Sequence, residues 1–240
     1  MDVGLILQDL VIGYPGLSPL QVHPMNLVAG QGEVWMLGGR NGTGKSTLLR
    51  TIAGLTKPLK GRVIWNGIDT RSFDAPSRSK IFALVLTQRP DAALFTALEI
   101  VETGLFHQKM QSRDKEYAAR KYMDDAGALH LANRRFEQLS DGEKQRVMMA
   151  RALAQDTPVL LLDEPSAFLD FSARAELSGL IQRWASEANK LIFVSSHDHH
   201  ALLPVCTHLL FLDQTGARVM QGADLKENAH SLFEVPGNEN

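Results

Sequence analysis

The sequence predicts an α/β fold: a mostly parallel sheet with an antiparallel edge, and a helical lobe inserted into it. Short apolar runs alternate with helical patterns, as in parallel sheets. The strand pattern at 62–65 runs into Asn66-Gly67, the two-residue signal for an antiparallel hairpin. Between residues 94 and 155 the pattern is helical. We therefore expect a single domain over 1–240, with an α/β core formed by 1–93 and 156–240 and a lobe formed by 94–155.

The strand predictions rest on short, largely apolar runs bounded by glycines, turn residues or acidic residues. The run at 34–37, for example, ends in glycines and reads as a buried strand that feeds a loop. The predicted strands are 5–12, 34–37, 62–65, 81–87, 159–162, 191–194 and 209–212.

The helix predictions rest on amphipathic spacing and on capping residues. A helix is predicted from Lys45 to Ala53, with Gly54 as its stop, and a charged amphipathic one covers about 113–128. Capping boxes predict two more starts. The pairs are Thr96 with Glu99, and Ser140 with Glu143 in a helix to about Gln155. A further helix is expected between the strands at 159–162 and 191–194.

The bulk composition limits the function classes. The 240 residues are 44% hydrophobic and 22% charged, and 25 basic residues nearly balance 27 acidic ones. The sequence shows no basic face or stripe of the kind that would predict nucleic-acid binding. The single cysteine excludes an internal disulfide framework and fits a reducing compartment. The longest apolar run, at 81–86, is far shorter than the roughly 20 residues of a membrane span, and no signal peptide is visible. We expect a cytoplasmic protein, or one held at a membrane by a partner.

One segment matches the phosphate-binding pattern G-x-x-x-x-G-K-[ST] in full. It consists of Gly39, Arg40, Asn41, Gly42, Thr43, Gly44, Lys45 and Ser46. Its glycines let successive backbone N–H groups point at phosphate oxygens, and the following helix adds its positive N-terminal end. We expect Lys45 to contact the β- and γ-phosphates and Ser46 to bind Mg²⁺. Thr47 completes the predicted ATP-binding set.

A second acidic element follows the apolar run at 159–162. Asp163 stands at the carboxyl end of this predicted strand, where ligands bind in open α/β sheets. We expect Asp163 to hold Mg²⁺ through water. Glu164 is then placed to polarise the attacking water as general base.

Between these elements lies Leu139-Ser140-Asp141-Gly142-Glu143-Lys144-Gln145-Arg146. This segment resembles the LSGGQ-type signature of ABC ATPases, and the order of motifs agrees along essentially the whole chain. The resemblance implies further roles. Tyr14 would stack on adenine, Gln88 would contact the magnesium site and sense a membrane partner, Asp170 would belong to the D-loop, and His197 would contact the γ-phosphate.

The resemblance also implies a head-to-tail homodimer on ATP binding. The signature residues Ser140, Asp141, Gly142 and Glu143 would then contact ATP held by the other copy. Asp141 stands where glycine is commonest and Glu143 where glutamine is, which adds acidic charge near a phosphate site. We expect this to slow or retune hydrolysis without abolishing it.

The partners implied are transmembrane permease subunits and, in the full system, a substrate-binding protein, with no nucleic acid. The contact surface would comprise Gln88, Arg89, Pro90 and the segment 94–106. Within that segment Leu98, Val101 and Leu105 could be partly exposed for the permease or packed into the lobe.

The chain most resembles ATPase subunits that serve iron-siderophore, haem and vitamin B12 uptake, so we expect an importer subunit at the cytoplasmic face of the cell membrane. The alternatives are a soluble ABC ATPase of iron–sulfur cluster assembly and the ATPase subunit of an exporter. A chromosome or repair ATPase would need sustained heptads, which this chain lacks.

Overall fold

A computed structural model describes residues 4–16, 20, 23–87, 94–196, 199–213 and 216–233. The ten strands in this part of the chain are β1 Leu5–Val11, β2 Met25–Ala29, β3 Val34–Gly38, β4 Lys60–Trp65, β5 Ile68–Asp69, β6 Phe82–Val85, β7 Val159–Asp163, β8 Leu191–Ser195, β9 His208–Asp213 and β10 Gly216–Gln221. The α-helices are α1 Lys45–Ile52, α2 Ala75–Ser79, α3 Ala97–Glu102, α4 Ser112–Asp125, α5 Asp141–Ala154, α6 Phe171–Ser186, α7 His199–Leu202 and α8 Gly222–Phe233. Short 3-10 helices cover Thr70–Ser72, Thr103–His107, Leu129–Leu131, Phe136–Gln138 and Leu203–Val205.

The strands form two sheets. The larger has the order β10-β9-β3-β8-β7-β6, and all its neighbours are parallel except the edge pair β9 and β10. The smaller sheet has the order β2-β1-β4-β5 and is antiparallel. The Asn66-Gly67 hairpin therefore belongs to a separate antiparallel sheet, because its strand β4 pairs with β1. The fold class predicted from the sequence is confirmed.

The parallel strands are buried on both faces, which is why they read as continuous apolar runs. In β3, Val34 and Met36 join one hydrophobic cluster, whereas Trp35 and Leu37 join a second cluster on the opposite face. Helix α1 covers this second face with Leu48, Leu49 and Ile52, all fully buried. The core thus fixes β3 and α1 on either side of the loop at 39–44.

Helices α3, α4 and α5 lie between β6 and β7 in the sequence, and they pack against one another. Val101 and Leu105 are fully buried in their shared core, and Leu98 is partly buried against it, so packing within this helical group is their role. The exposed apolar side chains of the segment 94–106 are instead Leu94, Phe95 and Phe106. No helix within the described residues is both long and apolar enough to span a membrane.

Candidate active site

The loop between β3 and α1 is shaped by close backbone packing. At Gly39, where φ is +127°, a Cβ atom would lie 2.2 Å from the carbonyl oxygen of Leu212 in β9. Gly44 caps α1 in the left-handed region with φ of 100°, and a Cβ there would meet Ile12 at 2.9 Å. Only glycine fits both positions, so the loop backbone keeps its curled path toward the N-terminus of α1.

Lys45 is the buried cation of this segment, with 7% of its surface exposed. Its Nζ donates to the carbonyl oxygens of Gly39 at 2.8 Å and Arg40 at 3.1 Å. Burial lowers the pKa of Lys45, while the nearby carboxylates of Glu164 and Asp163 act in the opposite direction. The ammonium group is therefore held by the loop itself, close to both acidic residues.

The carboxylate of Asp163 is contacted by hydroxyl groups from three segments of the chain. Its Oδ1 accepts from Ser46 Oγ at 2.9 Å and from Ser195 Oγ at 2.8 Å, and Thr87 Oγ1 lies 3.5 Å from Oδ2. The parallel register of β7 and β8 places Asp163 opposite Ser195. Asp163 is only 3% exposed, so this carboxylate is fixed from several sides.

Glu164 begins the turn after β7 with an unusual backbone. Its φ is 51°, in the left-handed region that a glutamate seldom adopts. Its N–H donates to the carbonyl oxygen of Ser195 at 3.1 Å and to Ser195 Oγ at 3.0 Å. These contacts hold the strained turn, and strain of this kind is concentrated at functional sites.

The loop, Glu164 and Tyr14 face one cleft of about 370 Å³. Six of its lining residues are Tyr14, Asn41, Gly42, Lys45, Thr47 and Glu164. Tyr14 is 44% exposed, and its hydroxyl lies 3.3 Å from Thr47 Oγ1. An anionic ligand with an aromatic group could therefore contact α1 and Lys45 at one end and the tyrosine ring at the other.

The signature turn, residues 140–143, lies outside this cleft. Ser140 caps α5 in a capping box: its Oγ accepts from the N–H of Glu143 at 3.3 Å, and Glu143 Oε2 accepts from the N–H of Ser140 at 2.7 Å. Ser140 and Asp141 are exposed, and the described residues lining the cleft include none of the four. The structure thus brings the phosphate loop, Asp163, Glu164 and Tyr14 together but leaves the signature turn apart.

Three other residues predicted for the site lie elsewhere in the chain. Asp170 caps α6, with its Oδ1 accepting from the N–H of Ala173 at 2.8 Å. Gln88 and His197 lie outside the described residues, so their predicted roles remain predictions. Phe171, directly after Asp170, is 89% exposed.

Sequence reasoning missed Ser195, Thr87 and Leu20. Ser195 and Thr87 contact Asp163, and Leu20 lines the cleft. Ser195 ends an apolar strand beside the one that carries Asp163, so its place at the same sheet edge was the available signal. Nothing in the local sequence around Leu20 indicates its position.

Comparisons with known proteins agree with this geometry. The family model described as ABC transporter matches residues 22–167, more than half of the chain. The achromobactin transport ATP-binding protein CbrD of Dickeya dadantii is 34% identical over 85% of this chain and 76% of its own length. The iron(3+)-hydroxamate import ATP-binding protein FhuC of Bacillus subtilis is 33% identical, over 91% and 82%. A solved dimeric structure of a post-hydrolysis state of an ATP-binding cassette, bound to ADP and Pi, superposes with a TM-score of 0.83 at 28% identity, covering 90% of this chain and 98% of that one.

Proposed function

Because the chain belongs to the ABC transporter family and is an ATPase of that family, we propose that it powers an importer whose membrane subunits are separate polypeptides. One observation carries the catalytic part of the proposal. The loop at 39–46 and Glu164 line one cleft, Asp163 at the end of β7 is hydrogen-bonded to Ser46 of that loop, and the signature turn lies outside the cleft. This arrangement suits a second copy, whose ATP would contact the signature turn.

In the proposed reaction Lys45 exchanges its loop carbonyl partners for the β- and γ-phosphate oxygens of ATP. Ser46 Oγ offers a hard oxygen donor of the kind that Mg²⁺ prefers, and the Asp163 carboxylate would hold the ion through water, so these residues fit a magnesium ion, with Gln88 as a further predicted donor. When bound, the ion neutralises charge on the β- and γ-phosphates.

Glu164 then orients the water that attacks the γ-phosphorus and accepts its proton, while the β–γ bridging bond breaks toward ADP. Ser195 holds the turn at Glu164 and the carboxylate of Asp163 in fixed positions relative to each other. Ser140 and Gly142 of the second copy complete the site by donating to the γ-phosphate. His197 is proposed to contact the same phosphate.

The proposed cargo is an iron-siderophore, haem or cobalamin type compound. The relatives named for achromobactin transport and iron(3+)-hydroxamate import support the iron-chelate part of this proposal, since they match over most of the chain at 34% and 33% identity. The proposed partner set is a permease and a substrate-binding protein, with the chain docked at the cytoplasmic face. Leu94, Phe95 and Phe106 lie in the segment predicted to contact the permease, and each is exposed.

Capture from detergent extracts of the native cell tests this proposal. Tagged protein carrying a photo-crosslinker at position 94 is expected to retain a polytopic permease. The same crosslinker at Val28, which is 66% exposed on β2 of the antiparallel sheet, serves as the control and should not. Capture of soluble scaffold proteins alone would contradict the importer and favour a cytosolic ABC ATPase, leaving the ATPase chemistry intact.

A further inference from the structure

The carboxylate of Glu143 lies at the signature turn and has two separate partners. Its Oε2 accepts from the N–H of Ser140 at 2.7 Å, and its Oε1 accepts from Arg134 Nη1 at 2.8 Å. The hydrogen bond from the Ser140 N–H holds the pKa of Glu143 below its ordinary value, and Arg134 acts in the same direction. At neutral pH, therefore, Glu143 carries a full negative charge within the turn proposed to receive a phosphate.

That charge opposes the proposed function unless it is balanced. The exposed N-terminus of a helix attracts an anion, but a carboxylate in the first helical turn occupies the same field and repels a second anion. Glutamine, commonest at this position in the family that the chain resembles, could cap the helix without any charge. This chain needs a cation at the turn if the turn is to receive ATP.

The guanidinium of Arg134 supplies that cation and also spans the turn. Its Nη1 donates to Glu143, after Ser140 in the sequence. Its Nη2 donates to the carbonyl oxygen of Gln138, before Ser140, at 3.1 Å. The planar fork thus connects the chain entering the turn to the first turn of α5. A lysine could supply the charge but not the two-sided contact.

The backbone of Arg134 is itself anchored. Its N–H donates to the carbonyl oxygen of Leu131 at 2.9 Å, and its carbonyl oxygen accepts from the N–H of Ala97 at 2.9 Å. Ala97 is the first residue of α3, within the segment 94–106 predicted to face the permease. The arginine therefore projects from a fixed point shared by α3 and the chain that leads to α5.

We propose that Arg134 is a positioning residue for ATP hydrolysis: it neutralises Glu143 and braces the signature turn so that Ser140 and Gly142 can receive the γ-phosphate held by a second copy. This rests on the proposed function, in which the signature turn acts across a dimer. As an ion pair alone the contact would stabilise the fold little, because both side chains are partly exposed, at 47% and 28%. Its effect is expected in turnover.

A double-mutant cycle on Arg134→Gln and Glu143→Gln tests the proposal by steady-state ATPase assays. Arg134→Gln should lower kcat roughly tenfold, the loss expected for one charge-assisted hydrogen bond. Equilibrium binding of a fluorescent ATP analogue to the monomer should not change. In the Glu143→Gln background the same arginine change should alter kcat by no more than about twofold, because the carboxylate that pairs with Arg134 is then absent.

Arg135→Gln is the matched control, since it removes the same charge one residue away, where the side chain lies 3.8 Å from the exposed Glu137. It should hydrolyse ATP like the unmodified protein. If Arg134→Gln fails to fold, Arg134→Lys replaces it and should show a smaller loss that Glu143→Gln again removes. An unchanged kcat in Arg134→Gln, or an equal loss in both backgrounds, would overturn the proposal.

The Ser140→Arg variant separates this failure from failure of the proposed function. Should Ser140→Arg hydrolyse ATP normally, the signature turn does not act in catalysis and the proposed dimeric site is wrong. Should Ser140→Arg be inactive while Arg134→Gln is fully active, only the role of Arg134 is refuted.

Discussion

Ser46 Oγ donates a 2.9 Å hydrogen bond to Asp163 Oδ1, although the two residues are 117 positions apart in the sequence. The contact joins the first turn of α1 to the end of β7, so the phosphate loop and the acidic strand end form one unit. Ser195 completes it from β8 by donating to the same oxygen of Asp163 at 2.8 Å. The proposed magnesium and phosphate contacts thus share one hydrogen-bonded frame.

Ser195→Ala should therefore reduce turnover while sparing the fold. It removes a hydrogen bond to the carboxylate of Asp163, and such bonds to charged groups contribute about 1.5–3 kcal/mol, so kcat should fall roughly tenfold to hundredfold. ATPase assays at saturating ATP measure this. Ser186→Ala, which removes a hydroxyl that donates to the carbonyl oxygen of Gln182 in the same exposed helix, is the control. Equal rates in the two variants would refute this role for Ser195.

Lys45→Ala should abolish nucleotide binding or turnover. The change removes the only side chain of the loop that is both buried and cationic, leaving the phosphate charge to backbone N–H groups alone. Isothermal titration with ATP measures the loss. Lys60→Ala deletes the same charge from an exposed position on β4 and should bind normally. Retention of wild-type affinity in Lys45→Ala would be inconsistent with the proposed site.

Much of this site could be predicted from local sequence because its groups lie in short continuous motifs. The capping boxes at Thr96 and Ser140, the helix at Lys45 and the strand before Asp163 needed only neighbouring residues, and all form as expected. Strand β6 is shorter than predicted, ending at Val85, because its apolar run continues past the last residue paired with β7.

Elements whose packing partners are distant in the sequence were not predicted. Strand β2 at Met25–Ala29 has an alternating buried and exposed pattern, but it is defined by pairing with β1. Helix α8 depends on contacts that are distant in the sequence, since Phe233 stacks on His199 and lies beside Gly38 at the end of β3. Likewise, whether Val101 and Leu105 face a partner or the lobe core depends on how α3 and α5 pack, which composition cannot decide.

Two glycines in helical surroundings should respond oppositely to alanine. At Gly104 an added Cβ would lie 2.3 Å from the carbonyl oxygen of Arg151, so Gly104→Ala should destabilise the protein by about 1–3 kcal/mol. At Gly179, exposed on α6, a Cβ meets nothing within 4 Å, and Gly179→Ala should stabilise it by about 0.5–1 kcal/mol. Chemical denaturation measures both. A destabilised Gly179→Ala would contradict the open space seen at that position.

Ser140→Arg should stop hydrolysis without weakening ATP binding to the monomer. The signature turn lies outside the cleft formed by its own chain, so a bulky cation there would obstruct only the approach of a second copy. Comparing ATP affinity by titration with turnover in the same preparation separates the two effects. Matched losses of both would mean that Ser140 contacts nucleotide held by its own chain.

The most direct test of the proposed composite site is light scattering on Glu164→Gln with and without Mg-ATP. Removing a positioned base typically slows turnover about a hundred- to ten-thousand-fold, so bound ATP should persist. We predict that the variant has the monomer mass of 26.5 kDa without nucleotide and twice that mass with ATP. A monomer that binds ATP tightly and never doubles its mass would contradict the head-to-tail dimer, and with it the role assigned to the signature turn.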